Sequence, residues 1–136
     1  MQSLIPYLIF NGNCREAMNF YQNCFGGTLE MMTWGDGPHR ESCPDTAKEK
    51  IMHGSLTKES FSLLAADKPD GEPTPGDNIQ LTIQCESIAE IEGLFKALGA
   101  EGKIIMPLED TFWGARFGVL IDKFGICWKL NCPLEQ

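Results

Sequence analysis

Two histidines are the first residues to consider for metal binding or acid–base catalysis, His39 and His53. Neither is followed by a second histidine at His-x-x-x-His spacing, and no glutamate-rich motif lies beside them. His53 falls in a strand-like segment, where a partly buried histidine bonded to a neighbour is the favoured interpretation. His39 falls in a polar stretch and is expected to be solvated. The histidines therefore give weak support for a dedicated metal site.

The six cysteines include no Cys-x-x-Cys pair. The apolar start of the chain, residues 1–10, is short and lacks a basic lead-in, so it predicts a strand rather than an export signal. Free thiols in a cytoplasmic protein are the expectation. Each cysteine is expected to act as a small buried hydrophobe, apart from Cys43 in a polar loop, which we expect to be exposed.

Length, charge and hydropathy limit the classes of partner. The chain has 136 residues, of which 43% are hydrophobic, and a net charge of −8 with a pI near 4.7. This charge would repel phosphate backbones, and no segment concentrates lysine or arginine. No apolar run approaches the roughly 20 residues that cross a bilayer. One domain with neither nucleic-acid nor membrane partners is expected.

The first half of the chain predicts the order β-α-β-β-β. The helix is expected to be capped by Asn13 and ended by Gly26-Gly27. The predicted segments are a strand from Leu4 to Phe10, a helix from Cys14 to Phe25, and strands from Thr28 to Trp34, Ile51 to Thr57 and Phe61 to Ala66.

The second half repeats this order. Ser87, with Glu90 three residues later, predicts a capping box, and Gly99 is expected to end the helix. The predicted segments are a strand from Ile79 to Cys85, a helix from Ile88 to Leu98, and strands from Lys103 to Met106, Gly114 to Ile121 and Ile126 to Asn131. The repeat defines one module at about residues 1–67 and another at about 79–132.

Two polar segments interrupt the pattern. Residues 68–78 are rich in proline, glycine and acids and predict a solvated connector. Residues 35–49 are long for a hairpin loop and predict either a lid over a site or disorder.

Several motifs together resemble PhnB-like proteins of the vicinal oxygen chelate superfamily, which includes glyoxalases, bleomycin-resistance proteins and dioxygenases. The resemblance covers nearly the whole chain. It implies an α+β fold of two tandem βαβββ modules whose curved mixed sheets surround a cavity, usually in a homodimer. The motifs are NGNCREA (11–17), FY (20–21), FGG (25–27), MHG (52–54), TFWG (111–114), RFG (116–118) and DKFGICW (122–128).

The resemblance also locates the superfamily's usual metal ligands, which come from the first and last strands of each half. The corresponding positions here are Tyr7 (or Pro6), Leu64, Gln80 and Lys129. Gln80 alone resembles a ligand, because an ammonium group has no lone pair and the others offer nothing that such metals prefer. No cofactor is predicted, and a divalent metal is disfavoured.

Strand alternation predicts which side chains face the implied cavity. If Leu8, Leu81 and Trp128 pack under the helices, then Tyr7, Gln80 and Lys129 point to the opposite face. Tyr7 would offer a hydroxyl and a ring, Gln80 an amide, and Lys129 a cation for an anionic group. The alternative is that these residues only satisfy one another or that Lys129 extends to solvent.

Trp113 and Arg116 belong to the motif before and within a predicted strand. Trp113 could cover the cavity mouth, and Arg116 could clamp a carboxylate or phosphate. The favoured alternative is that the aromatics pack in a core or an interface and that Arg116 forms a structural ion pair.

These observations predict a metal-independent protein that binds a small organic molecule. The alternatives are a metal-dependent lyase or dioxygenase using His53 and Gln80, a metal-free enzyme with Lys129 as base, and an antibiotic-sequestering protein whose acidic surface suits a cationic drug. A methyltransferase is disfavoured, because no Gly-x-Gly-x-x-Gly motif follows a strand.

Overall fold

The computed structural model describes Met1 and residues 3–38 and 40–134. It divides into two compact units, Met1–Thr74 and Pro75–Gln136, whose boundary falls inside the predicted connector. Each unit contains a four-stranded mixed sheet and one long helix, which confirms the α+β class and the two repeated βαβββ modules. That the two units form one domain, and that their sheets enclose a cavity, stay predictions.

The first unit forms a sheet with the strand order β1-β4-β3-β2. β1 runs parallel to β4, and the other neighbours are antiparallel. The elements are β1 (Tyr7–Phe10), α1 (Cys14–Phe25), β2 (Thr28–Thr33), a short 3-10 helix (Asp45–Ala47), β3 (Ile51–Lys58) and β4 (Phe61–Asp67).

The second unit repeats this topology with the strand order β5-β8-β7-β6. β5 runs parallel to β8, and β7 is antiparallel to both β8 and β6. The elements are β5 (Leu81–Gln84), α2 (Ile88–Gly99), β6 (Lys103–Asp110), β7 (Ala115–Ile121) and β8 (Cys127–Pro133).

Each helix buries one stripe against one face of its own sheet. In α1, buried residues recur at helical spacing from Cys14 to Tyr21, and α2 does the same from Ile91 to Leu98. The sheet side of each core consists of alternate strand residues, as predicted from the pleat. They include Phe10, Leu56, Leu63 and Ala65 in the first unit and Leu120, Trp128, Leu130 and Cys132 in the second.

Several predicted boundaries are wrong because pairing partners, rather than hydropathy, set the ends of strands. β1 begins at Tyr7, and the preceding Leu4 is almost fully exposed. β5 begins at Leu81, so the predicted strand residue Ile79 is also exposed. β6 continues past Met106 to Asp110, because it is an edge strand, where Pro107 is tolerated.

Asn13 occupies the N-cap position of α1, as predicted, but it does not cap the helix with its side chain, which makes no cap hydrogen bond. Instead, Oδ1 of the buried Asp67, at the end of β4, accepts hydrogen bonds from the backbone N–H of Gly12 at 2.8 Å and of Cys14 at 3.0 Å. Its Oδ2 accepts a third from the N–H of Ile51 at 2.8 Å. A carboxylate distant in sequence thus accepts the hydrogen bonds of backbone N–H groups that have no partner within the helix at its start.

The capping box of α2 is confirmed. Ser87 Oγ accepts a hydrogen bond from the backbone N–H of Glu90 at 3.1 Å, and Glu90 Oε1 accepts one from the N–H of Glu86 at 2.9 Å. The predicted end at Gly99 is wrong by one residue, because the helix includes Gly99. The left-handed residue that follows is Glu101, with φ of 60°.

The described part of residues 35–49 forms a hydrogen-bonded turn rather than a structureless loop. The backbone N–H of Trp34 donates to Lys50 O at 2.8 Å, and that of Gly35 donates to Lys48 O at 2.9 Å. Ala47, in the 3-10 helix, is fully buried. A role as a lid stays a prediction.

All six cysteines are free. Cys14, Cys85 and Cys132 are buried, whereas Cys43 is half-buried rather than exposed as predicted. Burial is the main cause that raises the pKa of both Cys14 and Cys85 to about 12. Their thiols are therefore uncharged at neutral pH and poor nucleophiles.

Within the residues that the structure describes, neither helix is long and apolar enough to span a membrane.

Candidate ligand-binding site

Each sheet has one face packed on its helix and one face turned away from it, which we call the open face. Strand register assigns residues to the open faces, because paired residues point to the same side of a sheet. The open face of the first sheet carries Tyr7, Ile9, Glu30, Met32, His53, Ser55, Leu64 and Ala66. The open face of the second carries Thr82, Gln84, Lys103, Met106, Glu109, Phe117, Val119, Ile121, Cys127, Lys129 and Asn131.

Tyr7 lies on the open face of the first sheet, as predicted. It pairs with Leu64 of β4, and its side chain is 48% exposed. Its ring lies 6.4 Å from the imidazole of His53, centroid to centroid, at an interplanar angle of 55°. His53 is exposed rather than partly buried, so that prediction is wrong. The two rings form an aromatic surface on this face.

Lys129 lies on the open face of the second sheet, as predicted. It is half-buried in the inner strand β8, between Thr82 of β5 and Val119 of β7. Among the described residues its ammonium group has no ion pair. Its ammonium group is therefore available to pair with an anionic group.

Cys127 precedes Lys129 by two residues and shares its face. Burial raises the pKa of the Cys127 thiol, while the positive charge of Lys129 lowers it. The carboxylates of Asp122 and Asp77 raise it further, so its pKa ends above the ordinary value. The thiol next to Lys129 is therefore neutral at pH 7 and does not act as its counter-ion.

Gln80 lies before β5 and is exposed. Its Nε2 donates to the backbone O of Asp77 at 3.2 Å. The strand neighbour of Lys129 is Thr82 rather than Gln80. A polar pair not recognised from the sequence lies on the same face, two positions further along β5 and β8. There, Asn131 Nδ2 donates to Gln84 Oε1 at 2.9 Å. The alternation pattern could have identified Gln84 once the register of β5 was known.

Trp113 lies in the turn between β6 and β7 and is 53% exposed. Its ring packs edge to face against two phenylalanine rings. The distance between ring centroids is 5.1 Å to Phe112 and 5.5 Å to Phe117. Phe117 belongs to the open face of the second sheet, so Trp113 adds aromatic surface next to that face.

Arg116 lies on the opposite side of β7, the side that faces α2, because its strand neighbour is the buried Cys132. Its Nε donates to Asp110 Oδ1 at 2.8 Å, and its Nη1 donates to Glu92 Oε1 at 2.9 Å. The hydrogen bond between the Arg116 and Asp110 side chains is the main cause that raises the pKa of Arg116 and lowers that of Asp110. The structural ion pair is confirmed, and the structure does not bring Arg116 to the open face.

The positions that would hold the superfamily's metal offer a phenol, an alkyl group, an amide and an ammonium group: Tyr7, Leu64, Gln80 and Lys129. This donor set does not fit a divalent cation. In residues 3–38 and 40–134, no three side chains of histidine, cysteine, aspartate or glutamate cluster as a metal site would need. His39 lies outside the described residues.

A shallow hollow of about 180 Å³ lies elsewhere in the first unit. None of the predicted site residues lines it. Its walls are Trp34, Ser42, Cys43, Pro44, Pro69 and Asp70.

Comparison with protein families gives one match that spans nearly the whole chain. A family described as 3-demethylubiquinone-9 3-methyltransferase matches residues 2–131. The Escherichia coli K12 protein YjdN is 31% identical over 145 residues, covering 98% of this chain and 97% of YjdN.

Solved structures agree with this match. Protein PA1353 from Pseudomonas aeruginosa has a TM-score of 0.89 and 43% identity, and the alignment covers 99% of this chain and 100% of PA1353. A Bacillus cereus PhnB protein, described as a putative 3-demethylubiquinone-9 3-methyltransferase, has a TM-score of 0.75 and 27% identity over 96% and 99% of the two chains. A glyoxalase/bleomycin resistance protein/dioxygenase family enzyme from Burkholderia phytofirmans shares the fold, with a TM-score of 0.65 at 15% identity over 96% and 97%.

Proposed function

We propose that this chain, which belongs to the PhnB-like (3-demethylubiquinone-9 3-methyltransferase) family of the glyoxalase/bleomycin resistance/dioxygenase superfamily, binds a small organic molecule without a metal ion. In the second unit, Gln80, Lys129 and Trp113 are the proposed contacts, and in the first unit Tyr7 is a proposed contact on the open face of its own sheet. Arg116 is left out, because two carboxylates already engage it.

The observation that carries this proposal is the state of Lys129. The residue is half-buried on a sheet face, and its ammonium group has no ion pair among the described residues. A carboxylate or similar anionic group of a ligand would supply the missing counter-charge. Phe117, a half-buried residue of the neighbouring strand, provides apolar surface for the rest of the molecule.

Methyl transfer, which the family's description names, is not part of the proposal. The chain has no Gly-x-Gly-x-x-Gly motif after a strand. Each unit is also a four-stranded mixed sheet with one helix, rather than the doubly wound parallel sheet that binds nucleotide cofactors.

A homodimer in the cytoplasm is the proposed working state. Three consecutive residues of the edge strand β6, Ile104, Ile105 and Met106, are 45 to 51% exposed. Exposed apolar side chains on an edge strand are typical of a surface that a partner covers. A second copy of the chain is the proposed partner.

The ligand proposal is tested by thermal shift with matched pairs of compounds. Benzoate and indole-3-propionate are compared with their uncharged amides, because the pairs differ only in the anionic group. We expect the carboxylates to raise Tm, and at 100 times the dissociation constant the stabilisation would be about 2.7 kcal/mol. Lys129→Met should abolish the difference between acid and amide. Lys96→Met, at an exposed position on α2, is the matched control and should retain it.

The same protein, purified without a tag or chelator, is analysed for bound metals and tested with zinc, nickel, manganese and iron. The proposal predicts no stoichiometric metal and no stabilisation. Stoichiometric metal that raises Tm would favour the lyase or dioxygenase instead. Carboxylates that fail to stabilise the wild type, or that act equally on Lys129→Met, would remove the assigned role of Lys129.

A further inference from the structure

The open face of the first sheet has a charge of its own. Among the strand positions that share this face, Glu30 in β2 is the one that carries a full charge at neutral pH. Its carboxylate is exposed and forms no ion pair with any described residue. This face therefore presents a negative group, whereas the inner strand β8 of the second sheet presents the positive Lys129.

Two aromatic residues share this face with Glu30. Glu30 pairs directly with Ser55, and His53 occupies the next position along β3 on the same face. Diagonal neighbours of this kind lie about 7–8 Å apart, close enough for one small molecule to contact both. The ring of Tyr7 then continues the surface from His53. A carboxylate at one end of an aromatic surface attracts a cation both by its charge and through the ring faces.

We propose that the open face of the first sheet binds a small molecule that carries a cationic nitrogen attached to a planar apolar group. Glu30 contacts the cation, and Tyr7 and His53 contact the planar group. Ser55, which pairs with Glu30, offers a hydroxyl for a further hydrogen bond. The inference rests on the proposed function in one respect, since Tyr7 is also one of the contacts proposed above.

Two probes of opposite charge test this charge preference. Tryptamine and indole-3-propionate share an indole ring and a two-carbon linker but carry an ammonium group and a carboxylate, respectively. Each is titrated into the assigned ¹⁵N-labelled protein and followed by ¹H–¹⁵N correlation spectra. We expect tryptamine to shift the amide signals of residues 7–9, 30–32 and 53–55, and indole-3-propionate to shift those of residues 117–119 and 127–131.

Single substitutions assign the effect to the proposed residues. Glu30→Gln keeps the shape of the side chain and removes its charge, and it should weaken tryptamine binding by about threefold or more. Tyr7→Leu should weaken it to a similar degree while leaving the charge in place. Glu59→Gln, in the turn between β3 and β4, removes an exposed carboxylate away from this face and should change nothing.

Each outcome separates this inference from the proposed function. Tryptamine that leaves the first sheet unperturbed, or that binds Glu30→Gln as well as the wild type, overturns the inference. If indole-3-propionate still binds the second sheet in a Lys129-dependent manner, the proposed function stands without it. Equal perturbation of the first sheet by both probes would also overturn the inference, because it would show contact without charge preference.

Discussion

At the scale of single residues, buried carboxylates organise the loops of both units. Asp67 is 2% exposed and accepts three backbone hydrogen bonds, from Gly12, Cys14 and Ile51. In the second unit, Asp122 is 3% exposed and accepts bonds from two backbone N–H groups and from Trp128 Nε1 at 2.8 Å. Each carboxylate ties a turn to a strand, which local sequence patterns did not predict.

Replacing Asp67 by Asn tests this role. An amide is uncharged and has one acceptor oxygen, so all three donors would lose a charged acceptor and at least one of them would face an N–H group. We expect the free energy of unfolding to fall by about 1–3 kcal/mol in urea denaturation. Asp70→Asn, at an exposed position three residues later, should change it by less than about 0.5 kcal/mol. Equal effects of the two variants would show that the Asp67 bonds contribute little.

At the scale of elements, the contact between α2 and its sheet depends on a glycine in β7. A Cβ atom at Gly118 would lie 2.6 Å from Phe95 Cε1 and 2.9 Å from Leu108 Cδ2. Phe95 is a buried residue of α2, so the missing side chain lets the helix approach the strand. Close packing of this kind tolerates little extra volume.

Two glycine-to-alanine substitutions in the same pair of elements should have opposite effects. Gly118→Ala is expected to destabilise the protein by about 1–3 kcal/mol, because the methyl group overlaps Phe95. Gly93→Ala, within α2, meets no atom within 4 Å and should stabilise it by about 0.5–1 kcal/mol through helix propensity. Thermal and urea unfolding measure both changes. Destabilisation by Gly93→Ala, or a neutral Gly118→Ala, would contradict this account of the packing.

At the scale of the whole molecule, the exposed apolar residues of β6 bear on the proposed homodimer. Ile105 is 45% exposed on an edge strand. A charge there would have to be desolvated in an interface, which is unfavourable without a partner.

Light scattering after size exclusion should give a mass near two chains for the wild type and near one for Ile105→Glu. Ile79→Glu, at an 81% exposed position outside the strands, is the matched control and should remain dimeric. A wild type with the mass of one chain would contradict the dimer. Loss of the dimer in both variants would show that added negative charge, rather than the β6 surface, causes dissociation.

The sequence alone determined what depends on neighbours along the chain. The pattern of apolar residues predicted the order of strands and helices along the chain and the faces of Tyr7 and Lys129. Ser87 with Glu90 predicted the start of α2. These signals are local, because side-chain direction and helix capping involve residues only a few positions apart.

The tertiary structure decided what depends on residues distant in sequence. Arg116 lies against Glu92 of α2 instead of on the open face, and Tyr7 meets the ring of His53 across the sheet. Asp67, rather than Asn13, satisfies the start of α1. Each of these contacts joins segments separated by at least 24 positions, and strand register and helix placement, which bring such segments together, are not encoded in any short stretch of sequence.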